Sequence, residues 1–338
     1  MTGSKGKSSI DGPASVIIVA RTISFGKKLC LLTAGEESMD LFLVTPSTKP
    51  LQSLQKLKFP KINFLCMIDL MLTVEKVTEE KFLIFGTKCG KLGFFRFIPE
   101  KPQLEQIDFF PDIHKKAITS IGALKGQDII LTGSSDFSVR VIHKSLDKIS
   151  GKLNPPSLLK VLLGHSNGVT CVEGFGGETE HFALSGSLDN SLIVWNLAKA
   201  GQREKSIKWD CDWISCMKLY KSPNEERVFC GSGNKGILVF NARSGLKEKQ
   251  WDYLNEFIEG WISFIDYNED YDILIICEGK GKIILVDSRH RKKIVNFEEA
   301  ESDISGAFIV KKLNNQEFLL LITNFDGKIR YLEISEFT

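Results

Sequence analysis

The chain has 338 residues, with 44 Lys and Arg against 42 Asp and Glu, and its composition is 43% hydrophobic and 25% charged. A formal net charge of +2 gives no bulk attraction to a polyanion, and the balance is that of a globular protein. No apolar run approaches the ~20 residues of a membrane span, and the start, MTGSKGKSS, lacks the apolar core of a signal peptide. The eight cysteines show no CxxC pair, and several lie inside apolar runs such as Phe64-Leu65-Cys66-Met67, the pattern of buried thiols in a reducing compartment. The expectation is a soluble, intracellular protein, cytoplasmic and/or nuclear.

One pattern recurs along the chain: a short apolar run, then strand, turn, strand. The short runs are residues 16–20, 64–67, 118–121, 169–172, 214–217, 262–265 and 304–308. From 64–67 onward each mixes Ser, Thr, Cys or Gly among its apolar residues, as suits innermost strands that converge on an axis. The strand pairs are LCLLTAGEESMDLFLV at Leu29, FLIFGTKCGKLGFF at Phe82, IILTGSSDFSVRVI at Ile129, FALSGSLDNSLIVW at Phe182, VFCGSGNKGILVF at Val228, ILIICEGKGKIILV at Ile273 and FLLLITNFDGKIRYL at Phe318. Their turn residues are Ser38, Cys89, Asp136, Asp189, Asn234, Lys280 and Asp326, which recur every 45 to 53 residues. Six positions after each turn residue stand Val44, Phe95, Ile142, Trp195, Phe240, Val286 and Leu332. All are apolar, so one fixed strand position faces the core in every unit.

Fourth strands are expected after each third strand, ending in apolar-acid pairs: Trp209-Asp210, Trp251-Asp252 and Phe297-Glu298. Residues 72–81 and 145–156 are longer and read as surface loops. The seventh unit has no fourth strand after Leu332. Ile10-Asp11 repeats the apolar-acid ending near the start, so residues 5–10 are expected to supply the missing strand. The alternative is an open seventh unit completed by a partner's strand.

The most regular stretch, residues 164–197, reads GHSNGVTCVEGFGGETEHFALSGSLDNSLIVWNL. It resembles a WD repeat, one blade of a β-propeller. The resemblance implies an all-β fold: a single seven-bladed β-propeller with four-stranded antiparallel blades, its ring closed by the N-terminal strand. Residues 1–9 are then a partly flexible tail that includes the closing strand, and residues 10–338 form the propeller. In the family, His165, Ser185, Asp189 and Trp195 look like a hydrogen-bonded network that braces a blade. His114, Thr132 and Asp136 look like a partial copy in blade three, where Ile142 replaces the tryptophan. A Ser-His-Asp set also describes a hydrolase triad, but no G-x-S-x-G elbow accompanies it. No catalytic, cofactor-binding or metal-ligating residue is assigned, and no cofactor is expected.

Three further motifs read as structure. Residues 231–236, GSGNKG, are followed by Ile237-Leu238 and not by Lys and Ser/Thr, so they fail as a phosphate loop; their glycines, with Gly279 and Gly281, suit positive φ in tight turns. Residues 289–293, RHRKK, fall at a turn and read as a solvated edge. Val286-Asp287-Ser288-Arg289 and Phe240-Asn241-Ala242-Arg243 are similar to the WDxR ending of WD-repeat receptors in cullin-type ubiquitin ligases, though both lack the tryptophan.

Loop charge gives the functional expectation. On one rim, blades five to seven carry Asp210, Asp212, Glu256, Glu259, Glu298, Glu299, Glu301 and Asp303, with Trp213 and Trp261 at equivalent places before Ile214 and Ile262. Blades two and three carry Lys88, Lys91, Lys115 and Lys116 on the same rim. An acidic sector beside two indoles can hold a basic peptide by charge and cation–π contact. The family works mainly as a rigid non-enzymatic platform. The resemblance therefore implies a scaffold or adaptor subunit of a larger complex, monomeric on its own, that binds proteins or peptides and no membrane. The alternatives are a substrate receptor of a cullin-type ubiquitin ligase, read at the Arg243/Arg289 face, and an RNA-associated or ribosome-assembly factor, read at a basic patch of residues 289–293 with Lys247 and Lys249.

Overall fold

A computed structural model describes residues 5–335 except 12–15, 26–27, 46–50, 75–77, 125–126, 145–153, 177–179, 200–201, 209–211, 222–224, 235, 291, 299–301 and 315–316. The chain is all-β. Its strands are β1 (Lys5–Asp11), β2 (Ile17–Phe25), β3 (Lys28–Val44), β4 (Leu51–Val74), β5 (Thr78–Thr87), β6 (Leu92–Ile98), β7 (Gln103–Phe110), β8 (Ile118–Ala123), β9 (Ile129–Ser134), β10 (Ser138–His143), β11 (Ser157–Leu163), β12 (Val169–Gly176), β13 (His181–Ser187), β14 (Ser191–Asn196), β15 (Gln202–Lys208), β16 (Ile214–Lys221), β17 (Glu226–Ser232), β18 (Ile237–Asn241), β19 (Ile262–Asn268), β20 (Ile273–Glu278), β21 (Lys282–Asp287), β22 (Lys292–Glu298), β23 (Ile304–Asn314), β24 (Glu317–Asn324) and β25 (Lys328–Ser335). No described helix is long and apolar enough to cross a membrane.

The strands form six antiparallel sheets, in the orders β2-β3-β4-β5-β6-β7, β8 to β11, β12 to β15, β16 to β18, β19 to β22, and β1-β25-β24-β23. The six-stranded sheet changes partners along β4. Residues 51–63 of β4 pair with β3, whereas Phe64–Val74 pairs with β5. Within β3, residues 28–35 pair with β2 and residues 36–44 with β4, and the register of the second pairing shifts at Glu37, whose φ is +56°. β1 lies against the last strand, with Lys5 opposite Glu333 and Asp11 opposite Lys328.

Period-two alternation places successive side chains of a strand on opposite faces of its sheet. Each sheet therefore feeds two apolar clusters. In β14, Ile193 and Trp195 pack toward Val139 and Val141, while Leu192 and Val194 pack toward Val228 and Phe240. Phe229 and Val239 then join Leu274 and Ile284, and Ile275 and Leu285 join Leu320 and Ile322. The final cluster sets Ile17 and Leu31 of the first sheet against Leu321 and Ile329 of the last. The seven positions singled out by register, Val44 to Leu332, are all buried.

The first strand of each unit touches its counterparts on both sides: β2 meets β4 and β23, and β4-β8-β12-β16-β19-β23 follow in sequence. Small polar side chains tie these strands. Thr119 Oγ1 donates to Val169 O at 2.5 Å and Thr170 Oγ1 to Ile214 O at 2.6 Å, while Cys66 Sγ donates to Ile118 O at 3.4 Å and Cys216 Sγ to Ile262 O at 3.7 Å. Between these strands lies a cavity of about 230 Å³ lined by Thr119, Thr170, Ser215 and Ser263. Larger side chains at those positions would close it.

Three expectations need correction. The sheets are not uniformly four-stranded. In place of a fourth strand, β18 is followed by a 3-10 turn (Lys249–Glu256) that buries Trp251 and Leu254. Trp251 is held there by Phe229, ring centroids 5.2 Å apart, and by the Arg227 guanidinium, so its apolar surface favours wrapping inward over an exposed strand. The open edge of β18 is occupied locally: Asn255 accepts from Ile237 N–H at 2.7 Å and donates back to Ile237 O. Of residues 72–81, expected as a loop, residues 72–74 and 78–81 instead extend the β4-β5 hairpin, with Leu72 opposite Glu80 and Val74 opposite Thr78, and residues 75–77 lie outside the described residues. Of the 145–156 insertion, residues 145–153 lie outside the described residues, as do Trp209 and Asp210.

Positive φ does not explain most of the glycines singled out. Gly236 and Gly281 do adopt it, at +101° and +81°. A Cβ on Gly231 would stand 2.7 Å from Ile262. On Gly233 it would stand 1.9 Å from the Trp213 indole, and on Gly279 2.0 Å from that of Trp261. These three are glycine because something lies on top of them.

Candidate functional site

Two constellations stand out, one inside the fold and one on its rim. The inner one begins at Asp189, in the turn between β13 and β14. Its carboxylate accepts from Ser166 N–H at 2.8 Å, Ser191 N–H at 3.0 Å and Ser191 Oγ at 2.5 Å, and pairs with His165 Nδ1 at 3.0 Å. His165 Nε2 meets Ser185 Oγ at 2.8 Å, and Trp195 Nε1 donates to the same oxygen at 2.8 Å. A single donor direction satisfies the row: Trp195 to Ser185, Ser185 to His165, His165 to Asp189. The sheet of β8 to β11 repeats it without the indole. His114 lies 3.0 Å from Asp136 and 2.8 Å from Thr132 Oγ1, and Ser138 also donates to Asp136.

Ser185 is 0% exposed and its oxygen already accepts the indole N–H, so no substrate carbonyl can reach it. The geometry clamps the end of each sheet to the loop entering it. Burial drives both His114 and His165 below the ordinary histidine range, against the pull of Asp136 and Asp189. Burial also pushes up the Asp136 carboxyl, but the Ser138 hydroxyl and N–H with His114 outweigh it and hold it at about 2; Asp189 is lowered likewise by Ser191, Ser166 and His165.

These shifts give a signed pH dependence. The unfolded chain takes up protons on both histidines as pH falls through about 6.5, which the folded chain resists, and on the two aspartates below about 3.8. Stability is therefore fully present above pH 6.5 and is lost in two stages on acidification. Urea unfolding is expected to show lower stability at pH 5.5 than at pH 7.5 through the histidines. A His114→Gln/His165→Gln chain whose pH slope matched the unsubstituted chain's would refute this.

The rim constellation arises from one turn repeated six times. The residue before each inner strand accepts a backbone bond from the residue after the second strand: Asn63 from Lys88, Ala117 from Ser135, Gly168 from Leu188, Trp213 from Gly233, Trp261 from Gly279 and Asp303 from Phe325. Bulk alternates between the two places. Trp213 and Trp261 cover glycines, whereas Leu188 and Phe325 stand opposite Gly168 and Asp303. Either way a large apolar side chain occupies the rim in four consecutive units. Leu188 is 43% exposed, Trp213 40% and Phe325 37%, and Trp261 is half-buried. Phe137 is exposed in the third unit beneath Lys116, 5.3 Å from its ring.

The two indoles are legible in the sequence pattern, whereas Leu188, Phe325 and Phe137 are not. Pairing each residue before an inner strand with its partner after the second strand would have revealed the alternation. The acids are less of a sector than their spacing implied. Asp212 and Glu256 are exposed. Glu259 pairs with Lys282 at 3.0 Å, and Asp303 accepts from Lys280 N–H at 2.8 Å. Asp210, Glu299 and Glu301 lie outside the described residues.

On the WDxR-like stretches, Asn241 and Asp287 cap their own turns, accepting from the N–H groups of Arg243 and Ser244 and of Arg289 and His290. Arg243 bridges Glu226 at 2.7 Å and Glu180 at 2.6 Å, and Arg289 pairs with Asp272. Among the described residues no group of His, Cys, Asp and Glu is placed to hold a metal ion.

An all-β chain of repeated sheets with a bracing network inside and an apolar rim outside belongs to the class of protein-interaction modules. Residues 156–196 match the family profile described as "WD domain, G-beta repeat", so this stretch of the chain carries a WD repeat. It is similar to U3 small nucleolar RNA-associated protein 21 of Saccharomyces cerevisiae, 32% identical over 205 residues, which cover 53% of this chain and 20% of that protein. It is also similar to Cell division control protein 4 of Candida albicans, 27% identical over 129 residues, or 36% of this chain and 18% of that one. The chain thus spans about a fifth of the length of these curated relatives.

Proposed function

We propose that the sheets are the seven blades of one closed propeller, closed by β1, and that the ring is a non-enzymatic docking platform in a larger intracellular assembly. Closure is supported by the unbroken succession of inner strands and by the cluster joining first and last sheets. The His165 and His114 networks brace two blades. The docking reading rests on one observation: the apolar arc Leu188, Trp213, Trp261 and Phe325 at equivalent rim positions. Tryptophans such as these two are enriched among the few residues that carry most of the energy of protein contacts. Asp212 and Glu256 beside the arc favour a peptide with a basic side chain next to an apolar one.

The relative named for its association with U3 small nucleolar RNA favours a ribosome-assembly complex as the setting. The ubiquitin-ligase alternative is supported by the likeness to Cell division control protein 4, but Arg243 and Arg289 are engaged within the fold and are poorly free to grip an adaptor. Retrieval of complexes from the source cell with the unsubstituted chain and with Trp213→Ala/Trp261→Ala tests the rim. The double variant is expected to keep its melting temperature and to lose a partner, with affinity weakened on the order of 10–100-fold. Recovery of the same partners at the same yield would dismiss the rim as the docking site.

A further inference from the structure

Propeller blades end in an outer strand whose far edge faces solvent, and such edges are ordinarily guarded by charge. Two of the outer strands follow that practice: β7 carries Glu105 and Asp108, and β15 carries Arg203, Glu204, Lys205 and Lys208. The sheet of β16 to β18 has no outer strand, and Asn255 with the 3-10 turn occupies its edge.

β11 departs from all of these. It reads SLLKVLL. Leu158 is 51% exposed, Leu159 50%, Val161 43% and Leu163 73%. Its only charge, Lys160, turns its ammonium onto the Leu197 carbonyl of the next sheet and so does not guard the edge. Only Leu162 is buried, in the cluster with Trp195. β11 pairs with β10 on one side and ends the sheet order on the other. Pro155-Pro156 precede it, so the addable edge is the seven residues from Ser157 to Leu163.

We infer that β11 is a second interaction site, independent of the rim, at which an extended, uncharged, aliphatic segment of another protein adds as a fifth strand to this blade. Two features select this occupant. Four exposed aliphatic side chains with no free charge favour a segment whose alternate residues are Val, Ile or Leu, and any charge on it would lose solvent without gaining a partner. A second copy of this chain is disfavoured by area. Two propellers meeting edge to edge touch along one strand of roughly 23 Å, well short of the roughly 1,200–2,000 Å² that stable association of folded bodies buries. A single added strand is not held to that requirement, because backbone hydrogen bonds supply much of its affinity.

The test uses the full chain and a synthetic probe, acetyl-Thr-Val-Thr-Ile-Thr-Val-Thr-amide, beside the same peptide N-methylated at alternate residues so that it cannot pair. Hydrogen exchange of the β11 amides is followed with the probe raised to millimolar concentration. The unmethylated probe is expected to slow exchange at residues 157–163 at least tenfold, and the methylated one to leave it unchanged. Leu159→Lys and, separately, Leu163→Lys replace exposed side chains, are expected to keep the native melting temperature, and should each abolish the protection. Sedimentation of the unliganded chain is the second measurement. A dimer that Leu159→Lys and Leu163→Lys both dissolve would overturn the inference in favour of a second copy. Exchange at β11 unaffected by the probe, or protection that survives both lysine variants, would overturn it outright.

Discussion

A chain lacking residues 1–11 is expected to melt about 5 °C below the full chain and to aggregate on heating. β1 contributes no further fold of its own, but it occupies the outer side of β25 through pairs from Lys5 opposite Glu333 to Asp11 opposite Lys328. Its loss removes several backbone hydrogen bonds, each worth about 1 kcal/mol net, and bares an edge that invites pairing with other chains. The last sheet would then be held by its inner strands and by the cluster of Ile17 and Leu31 with Leu321 and Ile329. A loss of about 3–4 kcal/mol corresponds to a shift of this size in a protein of this length. Adding the excised segment as a peptide should restore part of the lost stability. An unchanged melting temperature would mean that the N-terminal strand does not hold the last sheet, and the proposed closure would give way to the open-blade alternative.

Asp189→Ala is expected to cost about 3 kcal/mol in urea unfolding, far more than the same change at Asp326, which occupies the equivalent turn of the last unit. Asp189 accepts from His165, Ser166 and Ser191, and the first of these is buried. Removing the carboxylate strands buried donors, which costs the desolvation of each as well as the bond. Asp326 accepts from Lys328 N–H and faces the Arg330 guanidinium at 3.3 Å, where water can replace it. Its loss should cost under about 1 kcal/mol. Asp136→Ala, which frees His114 and Ser138, belongs with the first group. Equal effects at Asp189 and Asp326 would mean that the histidine network adds nothing beyond an ordinary turn.

The sequence by itself determined the repeat and its register. Strand alternation has a period of two whatever surrounds it, so residues six positions after each turn had to share a face, and Val44 to Leu332 are all buried. The residues of the His165 network were legible for the same reason: a turn aspartate, a strand serine and a strand tryptophan occupy fixed places in a repeating unit. Tertiary structure decided what depends on contacts between units. Trp251 is followed by an acid and reads as the end of a strand, yet Phe229 and Arg227 draw it inward and replace the strand with a 3-10 turn. Gly233 and Gly279 looked like turn glycines but are small because indoles lie across them. The apolar arc joins residues about twenty positions apart within each unit, and the bare edge of β11 is defined by Lys160 bending away to Leu197. Local pattern specifies which way a side chain points. Which neighbour it then meets is set by chain folded back from elsewhere, and the surfaces that meet partners are made of such neighbours.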